Sequence, residues 1–383
     1  MDYLNVETKF KSLFGGKPVI VRSPGRVNLI GEHTDYNEGF VLPAAIDKEI
    51  VFAAAPNAEN KCRFFAINMN ESFETDVNNI MRSPLGWPNY LLGVVEQLKL
   101  AGYKINGFNC VFEGDIPIGS GLSSSAALEA GMLTALNCMF GYGISKLDII
   151  KMAQKAENEF VGVKCGIMDQ FISVLGEKNK VLKLDCRSLT YEKYTLETDD
   201  MNIVLFDTQV KHSLASSEYN VRRSQCETGV AVIRKYNQAV HSLRDLSLPE
   251  LIKHKKELEP IVFDRCEYVL EENARLHEAC GFLEKGNYAD FGEMMYGSHA
   301  GLRDKYEVSC KELDLLVDIA HESGRVLGAR MMGGGFGGCT INLISNENLD
   351  YCKVIEQEYR KRSGKDLKKY ICKIKNGTEI LRA

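Results

Sequence analysis

The chain has 383 residues, of which 45% are hydrophobic and 26% are charged, and its formal net charge at pH 7 is -5. This is the composition of a globular protein long enough for two domains, and it excludes the fibrous and intrinsically disordered classes. Because acidic and basic residues are interleaved along the whole length without a basic stripe, we expect no nucleic-acid partner.

The first half of the sequence combines short β-like segments with helical ones. Apolar residues alternate with polar ones, or run continuously, in predicted strands at 19–23, 50–55, 61–67 and 107–113. Apolar side chains then recur at helical spacing from Ser124 to Phe140, so we predict a helix there. A Gly/Ser-rich segment stands directly before this helix and completes a strand-loop-helix unit.

The second half begins with a buried-type strand at Met201–Asp207 and continues with long helical stretches. A helix lies among three further predicted strands, at 325–330, 339–344 and 370–374. No repeat and no Pro/Gly/Ser linker divides the chain, so the domain boundary is placed where the pattern changes. The sequence therefore predicts an α+β protein with domains at 1–200 and 201–383.

A candidate phosphate loop precedes the helix that starts at Ser124. Its glycines let backbone N–H groups approach an anion, and the positive end of the helix dipole lies beside them. This arrangement suits a triphosphate, although simple helix capping by serine explains the composition equally well. No Walker A pattern occurs, so a different nucleotide-binding fold is required. The loop consists of Gly119, Ser120, Gly121, Leu122, Ser123, Ser124, Ser125 and Ala126.

A second glycine cluster at 333–338 formally satisfies the G-x-G-x-x-G pattern of dinucleotide-binding proteins. A predicted strand follows this cluster rather than a helix, which excludes a Rossmann site. Two interpretations remain open. One is a turn without side chains whose backbone reaches a substrate or phosphate, and the other is a glycine hairpin without a ligand.

Residues 25–36 gather polar side chains in a loop between two predicted strands, including Arg26, Glu32, His33 and Asp35. A loop with so many donors and acceptors is typical of binding, although a solvated turn is the simpler alternative. A buried sugar needs a partner for every hydroxyl group, and mixed donors and acceptors provide such partners. The composition of this loop therefore also suits a polyhydroxylated ligand.

The twelve cysteines are scattered, and no two of them form a C-x-x-C pair. Neither a zinc site nor a compact disulfide framework is indicated, so buried thiols are expected. Charged residues interrupt the N-terminal segment, and no later window approaches the roughly 18 apolar residues of a membrane span. We expect a cytoplasmic protein without a membrane partner.

Five segments resemble the galactokinase family of the GHMP kinases. The first is G-R-V-N-L-I-G-E-H-T-D-Y at 25–36, and the others lie at 119–126, 165–171, 212–219 and 328–338. The resemblance implies a two-domain GHMP kinase fold, with an N-terminal ribosomal-protein-S5-domain-2-like domain, a C-terminal ferredoxin-like domain and the active site between them. It also implies ATP-dependent phosphorylation of α-D-galactose at the anomeric hydroxyl, giving galactose 1-phosphate and ADP in galactose catabolism.

The resemblance assigns the catalytic roles to Asp169 and Arg26. Asp169 would be the base that accepts the proton of the attacking hydroxyl, and the always-charged Arg26 would keep it ionised and stabilise phosphate charge. Without the resemblance, an N-cap of the following helix would be the better interpretation of Asp169. A surface arginine is the alternative for Arg26.

A magnesium ion is implied by the same resemblance. The family supplies a phosphate-loop hydroxyl, here Ser125, and a helical carboxylate, for which Glu157 and Glu159 compete. On a helical wheel for 147–161, Glu157 faces the apolar arc and Glu159 lies at its edge. An inward carboxylate needs a cation, so we predict Glu157, with a salt bridge in the core as the alternative.

The remaining contacts are implied by the resemblance alone. Trp87 and Tyr90 would form the adenine pocket, with core packing as the alternative. The predicted contacts to galactose come from Glu32, His33, Asp35, Gly166, Asp169 and Tyr219.

Two alternative functions stay open. One is a GHMP kinase for another acceptor, such as N-acetylgalactosamine, mevalonate or homoserine, and the polar loop argues against the last two. The other is a sensor that binds ATP and sugar without turnover, although the predicted catalytic and metal-binding residues are all present. Nothing in the sequence demands an oligomer, so a monomer is expected.

Overall fold

The computed structural model describes residues 3–117, 119–196, 200–210 and 215–383. Its strands are β1 (Val19–Asn28), β2 (Phe40–Val41), β3 (Pro43–Pro56), β4 (Lys61–Ala66), β5 (Glu71–Asp76), β6 (Phe108–Gly114), β7 (Lys180–Asp185), β8 (Tyr191–Thr195), β9 (Met201–Asp207), β10 (Gly328–Met331), β11 (Cys339–Ser345), β12 (Lys368–Cys372) and β13 (Glu379–Arg382). Its helices are α1 (Tyr3–Phe14), α2 (Pro88–Leu100), α3 (Ser124–Phe140), α4 (Lys146–Lys155), α5 (Met168–Leu175), α6 (Ala215–Arg234), α7 (Leu248–Lys253), α8 (Pro260–Glu284), α9 (Tyr288–Asp304), α10 (Lys311–Glu322) and α11 (Cys352–Ser363). Within these ranges, no helix combines the length and apolarity needed to cross a membrane.

The first sheet has six strands in the order β13-β1-β3-β6-β4-β5. Its neighbours pair antiparallel except β4 and β6, which run parallel. Side chains alternate between its two faces, so Ile20 and Val51 pack against α1 while Val21 and Phe52 belong to the main core. Helices α3 and α5 contact β1 and β3 and so place the phosphate loop and Asp169 near the same strands.

The second sheet is antiparallel, with the strand order β10-β11-β9-β12. The chain forms β9, then a long series of helices, then the β10–β11 hairpin, α11 and β12. This β-α-β-β-α-β order is the ferredoxin-like arrangement, so the predicted architecture of the C-terminal domain is confirmed. A smaller antiparallel sheet, β2-β7-β8, lies beside the polar loop.

Strand β13 pairs with β1 in the first sheet, although it follows the second sheet in the sequence. Its neighbourhood is held by side chains: Arg22 binds Glu379, and Thr378 is hydrogen-bonded to Ser23 and Ser173. The predicted division at residue 200 stays a prediction, and the chain after it contributes one strand to the first sheet.

Helix α3 and strand β9 have the bounds that the sequence predicts, but β1 is five residues longer than the predicted 19–23. The proline and glycine at 24 and 25 read as a turn, whereas in the structure the pairing with β3 continues beyond them after a shift of register. The expectation that Arg26 lies in a loop is therefore wrong, because Arg26 is in the extended part of β1. The loop proper is 29–39, with a short 3₁₀ turn at Asp35–Asn37.

Candidate active site

A cavity of about 880 Å³ brings most of the predicted site residues together. Ser120, Ala126 and Gly166 lie behind its surface: the Ser120 hydroxyl donates to Pro117 O over 2.6 Å, and Ala126 is fully buried. The predicted residues that line the cavity are Arg26, Glu32, His33, Asp35, Trp87, Tyr90, Gly119, Gly121, Leu122, Ser123, Ser124, Ser125, Glu157, Asp169 and Tyr219.

Arg26 and Asp169 form a bidentate ion pair. Nε and Nη2 of Arg26 donate to Oδ1 and Oδ2 of Asp169 over 2.7 and 2.9 Å. Burial alone would lower the pKa of Arg26, but the carboxylates of Asp169, Glu32 and Asp35 raise it, so the guanidinium stays charged. The pair holds a carboxylate in a fixed orientation at the edge of the cavity, since Asp169 is partly exposed and Arg26 is buried.

Ser123 stands before helix α3 but does not cap it with its side chain. It stands at the N-cap position of α3 in a left-handed conformation, with φ of 57°, and its side chain does not bond to the helix backbone. Instead, its hydroxyl donates to Asp169. The first N–H groups of α3 are therefore left without this side-chain cap, and they stand at the cavity, where an anion can accept their hydrogen bonds.

The second glycine cluster is both a hairpin turn and a neighbour of the phosphate loop. It connects β10 to β11, and positive φ values occur at Gly333, Gly335, Gly337 and Gly338. A Cβ atom on Gly333 would lie 3.2 Å from the Cα atom of Gly121. The two loops thus pack backbone to backbone, and Gly333 and Gly334 reach the cavity wall.

Glu157 and Glu159 point in opposite directions. A π-helical segment, Ala156–Val161, continues α4 and turns Glu157 inward, while Glu159 is exposed and accepts from Gln97 over 2.7 Å. Burial and the nearby Asp169 raise the pKa of Glu157 to about 7, and hydrogen bonds from Ser125 and other groups partly offset this rise. Ser125 and Glu157, the two predicted magnesium ligands, are therefore in contact.

A second buried carboxyl group, Glu129, lies beside Glu157. The side-chain amide of Gln170 donates to Oε2 of Glu129 over 3.2 Å and to Oε2 of Glu157 over 2.8 Å. Burial and then the charge of Glu157 raise the pKa of Glu129 well above its usual range. Sequence reasoning missed Glu129, because an acidic residue inside an apolar helix carries no motif of its own, and it placed Gln170 in the family-like segment 165–171 without giving it a role.

Arg330 lies on β10 of the second sheet and holds the polar loop in place. Its side chain is fully buried. Its Nη1 donates to Oε2 of Glu32 over 2.9 Å, its Nε donates to Leu29 O over 2.8 Å, and its Nη2 donates to Asn28 O. Sequence reasoning placed Arg330 in the third glycine-rich segment but gave it no role. The available signal was an arginine within an otherwise apolar strand.

Asp35 faces Gly166, which explains the glycine at that position. A Cβ atom on Gly166 would lie 1.9 Å from Oδ2 of Asp35, so a larger residue would displace the carboxylate. Burial and the charge of Asp169 raise the pKa of Asp35 to about 7. In its protonated form this carboxyl group both donates and accepts hydrogen bonds, as a ligand with several hydroxyl groups requires.

Part of the cavity wall is apolar. Trp87 packs edge-on against Phe112 with ring centroids 5.6 Å apart, and its Nε1 donates to Glu71 over 2.8 Å. Ile50 and Leu128 line the same cavity, and Tyr90 lies nearer to Glu157, whose charge adds to burial in raising the Tyr90 pKa to about 12. Such a surface suits the flat base of a nucleotide.

The sugar-side residue Tyr219 packs on His33 with ring centroids 5.3 Å apart. It belongs to the family-like segment 212–219, of which residues 212–214 lie outside the described part of the chain. The cavity brings together the uncapped start of helix α3, the Arg26–Asp169 pair and the polar loop, between a mixed sheet and a ferredoxin-like sheet. This site and this fold together define a GHMP kinase.

Comparison with known proteins agrees with this class. The GHMP kinases N terminal domain matches residues 89–177, the GHMP kinases C terminal domain matches 278–350, and the galactokinase galactose-binding signature matches 8–56. A mevalonate kinase from Methanococcus jannaschii has a TM-score of 0.65 at 21% identity, covering 94% of this chain and 99% of the other, and shows the shared fold.

Closer relatives narrow the class. A galactokinase of Roseiflexus sp. (strain RS-1) is 38% identical over 379 residues, which cover 98% of this chain and 97% of that protein. The crystal structure of Lactococcus lactis galactokinase complexed with galactose has a TM-score of 0.94 and 35% identity, with 99% of each chain covered. The chain belongs to the galactokinase family, and it is a phosphotransferase with an alcohol acceptor.

Proposed function

We propose that the chain transfers the γ-phosphate of ATP to the anomeric hydroxyl of α-D-galactose. The observation that carries the proposal is the Arg26–Asp169 pair, which lies in one cavity with the phosphate loop and the polar loop. Membership of the galactokinase family supports the choice of sugar, and so does the likeness to a relative crystallised with galactose.

In this reaction Asp169 accepts the proton of the anomeric hydroxyl. The oxygen of that hydroxyl forms a bond to the γ-phosphorus. The bond from that phosphorus to the β,γ-bridging oxygen breaks, and ADP leaves with the electron pair. Arg26 holds both oxygens of the Asp169 carboxyl group, and the positive charge of Arg26 lies where negative charge develops. Ser123, which donates to the same carboxylate, holds the base in place.

The phosphate loop and the polar loop divide the binding of the two substrates. Backbone N–H groups at the start of α3 hold phosphate oxygens, and the wall around Trp87 holds the base. Glu32, His33 and Asp35 face the sugar hydroxyls, since all three line the cavity and are held by their own neighbours. This division brings the γ-phosphate and the anomeric oxygen to the same carboxylate.

A coupled assay of ADP release tests the proposal. We expect ATP turnover with galactose, and much less with N-acetylgalactosamine, glucose or arabinose. A preference for N-acetylgalactosamine would identify a GHMP kinase with another acceptor. Binding of ATP and galactose without any ADP release would identify a sensor and overturn the proposal.

The residues present fit a magnesium ion. Glu157 is a buried carboxyl group that is hydrogen-bonded to the uncharged groups of Gln170, Cys165 and Ser125 and lies beside a second carboxyl group, Glu129, so a cation would relieve the cost of its ionisation. The described residues contain no cluster of three His, Cys, Asp or Glu side chains around a metal position. Two protein oxygens, with substrate phosphates and water as the other ligands, are nevertheless what magnesium commonly takes. When bound, the ion would neutralise charge on the β- and γ-phosphates.

Replacing Glu157 with glutamine is expected to raise the Mg²⁺ concentration for half-maximal activity by about tenfold or more, since changes even outside the ligand sphere cost about 10–100-fold. Titration of activity with Mg²⁺, and of Mn²⁺ binding by electron paramagnetic resonance, measures the effect. Glu159→Gln is the matched control, because Glu159 is exposed and its carboxylate accepts from Gln97, and we expect the Mg²⁺ concentration for half-maximal activity to change by less than twofold. Equal effects of the two substitutions would contradict the assignment of Glu157.

Location and assembly remain part of the proposal. The chain is expected to act in the cytoplasm as a monomer, as the sequence predicts. Analytical ultracentrifugation of the active protein measures the second of these expectations.

A further inference from the structure

A chain of hydrogen bonds runs from the polar loop into the helices behind it. Nδ1 of His33 lies 2.8 Å from the Tyr36 hydroxyl, which lies 2.7 Å from the Tyr306 hydroxyl. The Tyr306 hydroxyl lies 3.3 Å from the Cys226 thiol. We propose that Tyr36 and Tyr306 are positioning residues that hold the His33 ring in one tautomer and orientation, with Nε2–H directed at a sugar oxygen. This inference rests on the proposed function.

His33 is neutral, so its two nitrogens have different roles. Its ring is buried, and burial together with the charge of Arg222 lowers its pKa to about 3. In neutral imidazole one nitrogen donates and the other accepts, and the partner of one nitrogen decides the role of the other. The partner of Nδ1 is Tyr36, whereas Nε2 is buried without a hydrogen bond of normal geometry to the described residues, although the backbone of Gly334 at the cavity wall is close enough to the ring to raise its pKa slightly against the effect of burial.

The direction of the chain follows from the strengths of its donors and acceptors. A phenol O–H is a stronger acid than a neutral imidazole N–H, and an imidazole lone pair is a better acceptor than a phenol oxygen. Tyr36 therefore donates to Nδ1, and Tyr306 donates to the oxygen of Tyr36. The Cys226 thiol supplies a weak donor to Tyr306 at the end of the chain. Nε2 consequently carries the proton.

The backbone and the packing keep the ring at the cavity. His33 has a φ of 61°, a left-handed conformation that is costly for a residue with a side chain, and Asn37 donates to its carbonyl oxygen over 3.0 Å. The rings of Tyr219 and Tyr306 lie 5.3 and 5.0 Å from the imidazole. Packing therefore restrains the position of the ring, and the hydroxyl chain adds the choice of which nitrogen faces the ligand.

Phenylalanine substitutions isolate the hydroxyl groups, because the aromatic rings keep their packing. For Tyr36→Phe we expect the KM for galactose to rise by about tenfold, with kcat and the KM for ATP changed by less than twofold, because only a fraction of His33 rings present Nε2–H. For Tyr306→Phe, which leaves Tyr36 in place, we expect the KM for galactose to rise by about threefold. Tyr296→Phe is the matched control, since its hydroxyl donates to Val326 O in a different cluster.

Deoxygalactoses distinguish positioning from a general loss of structure. The Tyr36→Phe effect should vanish for the one deoxygalactose that lacks the hydroxyl held by His33, and should remain for the others. Nitrogen-15 NMR of histidine-labelled protein should show Nδ1 without a proton and Nε2 protonated in the unsubstituted chain.

Three results would overturn the inference. They are a protonated Nδ1 in the unsubstituted chain, the same loss of affinity for every deoxygalactose, and an unchanged galactose KM in Tyr36→Phe. Failure of the proposed function is a separate outcome, because it appears as absent galactose turnover in the unsubstituted chain. The NMR measurement needs no activity, so it tests the positioning even in a variant that turns over slowly.

Discussion

Replacing Asp169 with asparagine is expected to lower kcat for galactose by about 10³-fold, within the range of roughly 10²–10⁴ that a positioned base provides. Asparagine keeps the size of the side chain and can still accept from Arg26, so galactose affinity should change by less than about tenfold. The loss should therefore appear in kcat rather than in binding, which rapid-quench kinetics and calorimetry measure separately.

The geometry explains why this position is sensitive. Both carboxylate oxygens of Asp169 are held by Arg26, and one of them also accepts from Ser123. Asp148→Asn, on the exposed first turn of α4, is the control because it makes the same chemical change. We expect it to change kcat by less than twofold. A kcat close to that of the unsubstituted chain in Asp169→Asn would remove Asp169 from the mechanism.

Replacing Arg330 with methionine is expected to lower the free energy of unfolding by about 3–5 kcal/mol, the usual effect of removing one partner from a buried ion pair. Glu32 would keep its buried carboxylate without its cation, and the carbonyl groups of Asn28 and Leu29 would lose their donors. Urea denaturation followed by circular dichroism measures the change.

Two further variants make the test of Arg330 specific. Arg325→Met, on an exposed arginine close by in the sequence, should change stability by less than about 0.5 kcal/mol. Adding Glu32→Gln to Arg330→Met should restore part of the lost stability, since the unpaired charge is then removed. A double variant no more stable than Arg330→Met would show that the ion pair is not the cause.

Local patterns in the sequence predicted the regular elements well. Helix α3 follows from one apolar stripe, and strand β9 follows from one continuous apolar run, so each is determined by its own residues. The length of β1 was not predictable in this way. Its continuation through Pro24 and Gly25 depends on pairing with β3, a partner that no local pattern identifies.

Most of the predicted site residues line one cavity, but the contacts that connect them were not predictable from the sequence. Motifs named Arg26, Asp169 and the phosphate loop, yet the bond from Ser123 to Asp169 joins residues 46 positions apart. Arg330 reaches Leu29 across 301 positions, and Tyr306 reaches Tyr36 across 270. Such contacts arise from tertiary packing, because only the fold decides which distant side chains meet.

The pairing of β13 with β1 affects how the first sheet forms while the ribosome synthesises the chain. Residues 379–382 are synthesised after every strand of the second sheet. The edge of β1 that pairs with β13 therefore has no partner strand while the rest of the chain is made. An open edge of this kind is a place where nascent chains join one another. The arrival of β13 closes that edge, so the first sheet cannot be completed before the end of the chain is available.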